Sequence, residues 1–272
     1  MSARRTRGGK SAADAPPPQG AAPAGGRERA DLALVARGLA PSRARAQDLI
    51  RRGLVRLDGA VVARPNAPVA PGAVLTLDDE APDWVSRGAE KLVAALDAFR
   101  FDPAGLHIAD LGASTGGFTE VLLRRGARRV VALDVGHDQL HPRLRADARV
   151  ICREGVNVRH LTAGDVIEPP QGLVADLSFI SLKLALPAAL DLAAPGAFGA
   201  FLVKPQFEVG REGIGRGGIV RDAALAGAAL ADVAGWLDAR PGWRVVGHTV
   251  SPIAGGDGNR EFLLGAVKDR PA

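Results

Sequence analysis

The sequence predicts an α/β chain, a mostly parallel seven-stranded sheet with helices on both faces, preceded by a small α+β module. Three observations predict it. From Leu106 onward, apolar strand-like segments alternate with helical ones, the pattern of a parallel sheet covered on both sides. The first of these strands runs into a glycine-rich turn and a helix, and the second ends in an acid. Ahead of them, a short arginine-rich stretch carries its own helix cap and an Asp-Gly hairpin signal.

The glycine-rich turn lies in Leu106-His-Ile-Ala-Asp-Leu-Gly-Ala-Ser-Thr-Gly-Gly-Phe118. Asp110 sits where the strand gives out. Gly112, Gly116 and Gly117 allow a turn that side chains would block, and Phe118 enters the helix. Val130-Val-Ala-Leu-Asp134 is the second strand, and an acid at that tip is where nucleotide-binding α/β folds bond ribose hydroxyls. An adenosine-bearing cofactor is therefore expected across the carboxyl ends of a Rossmann-like sheet. A dinucleotide site wants Gly-x-Gly-x-x-Gly so that backbone amides can crowd a pyrophosphate. Position 114, where the second glycine would fall, is Ser, and the pattern is Asp-x-Gly-x-x-x-Gly-Gly. That form suits a cofactor without phosphates, S-adenosyl-L-methionine, better than a nicotinamide dinucleotide. Taken alone, the turn also fits an ordinary crossover with no ligand; Asp134 and the motifs below weigh against that.

At 272 residues the chain can form one large domain and one small one. Its 47% hydrophobic content is globular, and no apolar run reaches the ~20 residues of a membrane helix. No apolar segment follows the basic N-terminus, so no signal peptide and no membrane partner are expected. Cys152 is the single cysteine, which excludes a disulfide framework and a Cys-based zinc site and fits a reducing cytoplasm. No metal is expected. The net charge of +5 favours a polyanionic partner.

Residues 1–29 hold Arg4, Arg5, Arg7 and Lys10 and then a Pro/Ala/Gly stretch, so a disordered tail is expected, either touching RNA or merely solvated. Residues 30–79 form the small module. Asp31 to Leu39 reads as a helix, Ser42 as the cap of a second one over 43–52, and Leu54 to Val62 as a hairpin about Asp58-Gly59. Val74 to Leu77 closes the small sheet. Arg43, Arg45, Arg51, Arg52, Arg56 and Arg64 outnumber Asp48 and Asp58, whereas a plain solvated face would mix the signs. Such a surface tracks phosphates and reaches 2′-hydroxyls, so RNA binding is expected.

Residues 80–86 read as a linker and 87–268 as the large domain. A helix with Leu92, Ala95, Leu96 and Phe99 on one face opens it, with Lys91 beside that face. Strands are predicted near 106–111, 130–134, 149–152, 173–177, 198–203, 244–250 and 261–267. Helices fall near 117–125, 138–146, 181–193 and 222–238.

Four polar residues recur at strand ends or beside them. Leu173-Val-Ala-Asp176 ends in Asp, Phe198-Gly-Ala-Phe-Leu-Val-Lys204 ends in Lys, and Glu261 opens the last strand. With Lys91 they make a Lys, Asp, Lys, Glu set. Moving a methyl from a sulfonium to a ribose hydroxyl is an in-line displacement in which the hydroxyl must lose its proton. A lysine can take that proton only in its neutral form, which burial beside a second cation favours. Lys204 is the expected base, Lys91 shares its field, and Asp176 and Glu261 position the two amines.

Asp110-Leu-Gly-Ala-Ser-Thr-Gly-Gly-Phe-Thr-Glu120, Ala175-Asp-Leu-Ser-Phe-Ile-Ser181 and Val203-Lys-Pro-Gln-Phe-Glu-Val-Gly210 resemble the TlyA (hemolysin A) family of ribosomal RNA methyltransferases. Trp84-Val-Ser-Arg-Gly88 is similar to that family's interdomain linker. Arg37 to Gly59 resembles the S-four-type RNA-binding domain. The resemblance spans about residues 30 to 268. It implies 2′-O-methylation of cytidine in rRNA or ribosomal subunits, an FtsJ-like catalytic domain, and a tetrad on Lys91, Asp176, Lys204 and Glu261. It also implies cofactor contacts at Gly112, Ser114, Gly117, Asp134 and Asn157; Asp110, Gly116 and Phe118 of the glycine-rich turn, and Asp176, are expected to bind the cofactor with them. No obligate protein partner is implied. A chain that keeps this fold as a non-catalytic RNA-binding or ribosome-assembly factor is the alternative.

Overall fold

A computed structural model describes residues 27–40, 42–78, 84–215, 217–255 and 258–269. The chain divides into two compact units, residues 1–82 and 83–272. Most of the expected N-terminal tail lies outside the described residues.

In the first unit β1 (Glu28–Arg29) leads into α1 (Ala30–Ala36), and α2 (Arg43–Arg51) follows. Ser42 caps α2, its hydroxyl accepting the Arg45 N–H at 3.3 Å. Then come β2 (Val55–Leu57), β3 (Ala60–Val61), β4 (Pro68–Val69) and β5 (Leu75–Leu77). The hairpin turns at Asp58 and Gly59, both at positive φ, and β2 is the middle strand of three. Residues 28 and 29, read from sequence as the end of the tail, pair with β4 instead. A two-residue strand is too short to leave a period in the sequence. Leu34, Ile50 and Val55 form the small core.

The six arginines of this unit do not act alike. Arg45 and Arg52 are folded against Asp48, with side chains 16% and 9% exposed, so they brace the module. Arg43 is bonded to Asp31 and Arg56 to Asp78, acids that lie too far along the chain for a local count of charges. Asp31 is fully buried, and Arg29 first, then Gln47 and Arg43, holds its carboxyl well below the usual range. Arg51 and Arg64 stand exposed.

The second unit begins with α3 (Ala89–Phe99), β6 (His107–Leu111), α4 (Gly117–Arg124) and β7 (Arg129–Asp134). It continues through the single turn α5 (Pro142–Arg145), β8 (Val150–Glu154), the turn α6 (Ala163–Val166) and β9 (Gly172–Ala175). Next come α7 (Leu182–Ala185), α8 (Pro187–Leu192), β10 (Phe198–Val203), the turn α9 (Pro205–Glu208), α10 (Ala223–Asp238), β11 (Trp243–Val250) and β12 (Phe262–Lys268). The helix expected over 181–193 is thus split at Pro187, which has no N–H to continue it.

The seven strands run in the order β11-β12-β10-β9-β6-β7-β8, and β12 alone runs opposite to the other six. Strands β6, β9 and β10 are buried along their whole length, because apolar clusters cover both faces. The order in which the chain adds strands reverses between the parallel neighbours β6 and β9, and ligands of such sheets settle in the crevice at that switch point. Trp84 to Ser86, read as linker, belong to this unit. Trp84 is buried under the Arg124 guanidinium, 4.3 Å from its ring centre, and Val85 N–H donates to Glu120 Oε2 at 2.7 Å.

Candidate active site

Four strand ends meet at the switch point. Gly112 follows β6 with φ +82°, and a Cβ there would stand 2.8 Å from the Asp176 carbonyl oxygen. Only glycine lets the two strand ends approach that closely. Ser114 also takes a positive φ and donates its N–H to Asp134 Oδ2 at 2.8 Å, while Gly136 N–H donates to Oδ1 at 2.7 Å. Asp134 therefore holds the turn in place and keeps a second lone pair on each oxygen for a ligand. Gly117 opens α4 against the 84–89 segment; a Cβ there would meet Ala89 N at 3.1 Å.

A cleft of about 490 Å³ lies over this turn, lined among others by Gly112, Ser114, Asp134, Asn157, Asp176 and Phe179. A smaller one of about 190 Å³ shares Gly112, Ser114, Asp176 and Ser178 with it and ends at Lys204, with Ser86, Gly117 and Phe118 in its wall. Two residues expected to touch a cofactor stand behind the turn instead. Gly116 faces Leu144, 2.3 Å from where its Cβ would be, and is a packing requirement. Asp110 is fully buried, accepts the Thr119 hydroxyl at 2.6 Å, and leaves Oδ1 without a hydrogen-bond partner among the described residues. Burial pushes its carboxyl up to about 7 against the pull of Thr119.

The four charged residues converge. Lys91 Nζ donates to Glu261 Oε2 at 2.6 Å and lies 3.9 Å from Asp176 Oδ2; Lys204 Nζ lies 2.6 Å from Asp176 Oδ1. Lys204 also donates to Ser178 Oγ at 2.9 Å. The result is a line of alternating charge, Glu261, Lys91, Asp176, Lys204. Its inner end is sealed, with Lys91 at 6% and Glu261 at 3% exposure. Asp176 lines both clefts and Lys204 the smaller one, so a hydroxyl placed where the clefts join would face both. The helical pattern had put Lys91 beside the apolar face; Glu261, brought in from the far end of the chain, is what allows it to be buried.

The FtsJ-like methyltransferase model matches residues 84–268, and the S4 domain model matches 28–75. The 16S/23S rRNA (cytidine-2′-O)-methyltransferase TlyA of Mycobacterium tuberculosis is 48% identical over 239 residues, 88% of this chain and 89% of that one. The chain belongs to the TlyA family of FtsJ-like methyltransferases. The 23S rRNA (cytidine-2′-O)-methyltransferase TlyA of Campylobacter jejuni is 33% identical over 72% of this chain and 75% of its own. A solved structure described as a hemolysin from Streptococcus thermophilus superposes with TM-score 0.70, at 40% identity and 90% coverage of both chains. No helix among the described residues is long and apolar enough to cross a membrane.

Three features of this methyltransferase site escaped sequence reasoning. Ser178 is the hydroxyl partner of Lys204. Phe179 is 91% exposed at the mouth of the large cleft, at φ +64°, with its ring tilted against Phe207 at 5.3 Å. An exposed aromatic held in a strained backbone points to use rather than packing. Glu154, at the end of β8, accepts the N–H groups of Asp138, Gln139 and Leu140 and pairs with Arg145 at 2.7 Å. It fastens the loop from which Gln139 reaches the cleft.

The Arg145 pair, followed by those N–H groups, holds the Glu154 carboxyl at about 2. Because its folded value is depressed, its support is complete above its ordinary value near 4.5 and is lost as pH falls through 2. Glu154→Gln is expected to weaken cofactor binding about 5-fold at neutral pH, with little change in turnover, because the loop at 138–140 loses part of its fastening. Calorimetric titration of both proteins checks it.

Proposed function

We propose that the protein transfers the methyl group of S-adenosyl-L-methionine to a ribose 2′-hydroxyl, that of a cytidine, in ribosomal RNA. The convergence of Lys91, Asp176, Lys204 and Glu261 beside a phosphate-free nucleoside cradle carries this reading. The cradle suits the cofactor: Asp134 has lone pairs left for two ribose hydroxyls, and the Gly112, Ala113 and Gly116 amides of the turn are bonded to backbone carbonyls rather than free for a pyrophosphate. Gly112, Ser114, Asp134, Asn157 and Asp176 would hold the cofactor, which when bound supplies a methyl on a positive sulfonium.

Lys204 accepts the proton of the attacking hydroxyl, and this requires that its amine reach the neutral form first. Asp176 Oδ1 orients that amine and stabilises the ammonium that forms. Ser178 fixes a second direction of the same nitrogen. Lys91 is locked by Glu261 and sets the field across Asp176 from the far side. Phe179 offers a face on which the base of the target nucleotide can stack once it leaves its helix.

The first unit supplies RNA affinity, and the cytoplasm is where its substrate lies. Arg51→Glu together with Arg64→Glu is expected to weaken binding to rRNA and flatten its salt dependence by about 2 in slope, leaving cofactor affinity intact. Titration with S-adenosyl-L-methionine and with NAD tests the cradle: heat with the first and none with the second is expected. The reverse would make the site a dinucleotide one. Undiminished rRNA binding with no methyl transfer would favour an assembly factor.

A further inference from the structure

We propose that Arg221 and Arg260 form a phosphate clamp for the RNA strand that carries the target ribose. This rests on the RNA methyltransferase reading and adds the residues that seat the strand at the catalytic unit. Many guanidiniums of this unit are committed to carboxylates, as Arg128 is to Glu168 and Arg145 to Glu154. Arg221 and Arg260 are exposed and have no ion pair among the described residues.

They come from different loops that open on the same end of the sheet. Arg221 closes the loop that leaves β10, and Arg260 stands two residues before β12, whose first residue Phe262 pairs with Val203, the last of β10. Asn259 joins the loops. It is 1% exposed, its Oδ1 accepts the Val220 N–H at 2.9 Å, and its Nδ2 donates to the Gly218 carbonyl at 2.9 Å. Each arginine is therefore one residue from the staple.

The same short segment faces two ways. Asn259 and Glu261 are buried and Arg260 between them is exposed, an in-out alternation. The inward side delivers Glu261 to Lys91, and a Cβ at Gly255 would come within 2.6 Å of its carboxylate, so the loop is wrapped tightly there. The outward side carries Arg260, and the loop stapled to it carries Arg221, at the rim where a polyanion must arrive. Guanidinium forks grip phosphate oxygens in pairs, and fixing their loops in advance removes ordering cost from binding.

The test uses the full chain with Arg221→Glu, Arg260→Glu and both together, in steady-state methyl transfer to rRNA and in equilibrium RNA binding across a salt series. Each single change is expected to raise the KM for RNA about 10-fold and to lower the salt slope by about 1, with turnover at saturating RNA retained. Cofactor affinity should stay as in the parent. Arg244→Glu serves as control. It is also exposed, but it lies at the start of β11, at the opposite end of the sheet, and should change neither quantity. An unchanged KM and slope in the double variant, or an equal effect from Arg244→Glu, would overturn the clamp. A parent chain that binds RNA but transfers no methyl would instead defeat the activity reading, and the binding series would still decide the clamp.

Discussion

Lys204→Ala is expected to slow methyl transfer about 100- to 10,000-fold, the range over which a positioned base acts, while the chain still binds its cofactor and RNA. The amine lies at the end of the smaller cleft, held by Asp176 at 2.6 Å and Ser178 at 2.9 Å. Removing it leaves no other basic group in the wall of that cleft among the described residues. Lys204→Arg should not rescue, because a guanidinium keeps its proton at any working pH. A loss in turnover with unchanged affinities identifies a group that acts on the reacting hydroxyl. A loss seen only in the KM for RNA would make Lys204 a docking residue. Single-turnover transfer of a labelled methyl, alongside calorimetry, separates the two outcomes.

The second large effect is on stability. Lys91 and Glu261 form a buried pair at 2.6 Å, and truncating one partner strands the other charge in a dry interior. Glu261→Ala should therefore cost about 3–5 kcal/mol in urea unfolding. Asp176, 3.9 Å from Lys91, is too far to take over the bond. Adding Lys91→Met to Glu261→Ala should recover most of the loss, since no charge is then left unpaired. Additive losses would mean that the pair is not coupled as its geometry requires. Neither variant should transfer methyl, so folding and chemistry are read separately.

How much of this was legible in the sequence follows from what kind of signal each residue leaves. The strand ends were legible because a doubly buried strand is a short apolar run and a charge at its tip stands out, as with Asp134, Asp176 and Lys204. The turn at Gly112 was legible because positive φ selects glycine. Gly116 and Asp110 read as ligand contacts because a pattern cannot say which side of a loop faces the cleft; the structure puts Leu144 against one and Thr119 against the other.

Partners distant in sequence left no trace. Asp31 and Asp78 absorb arginines that a local count left free, and Glu154 reads as a surface acid until the loop at 138–140 folds over it. Phe179 does not stand out within its motif, since one sequence does not distinguish an exposed aromatic from a core one. Trp84 looked like linker because the polar stretch before it ends so close; its burial depends on Arg124, forty residues on.

Where the methyl lands decides the reaction. Purified rRNA incubated with the protein and methyl-labelled S-adenosyl-L-methionine, then digested to nucleosides and weighed by mass spectrometry, reads that directly. The expected product is 2′-O-methylcytidine, absent when Lys204→Ala replaces the parent. A methyl on a base nitrogen or carbon, or equal label with Lys204→Ala, would contradict the assignment of these four side chains.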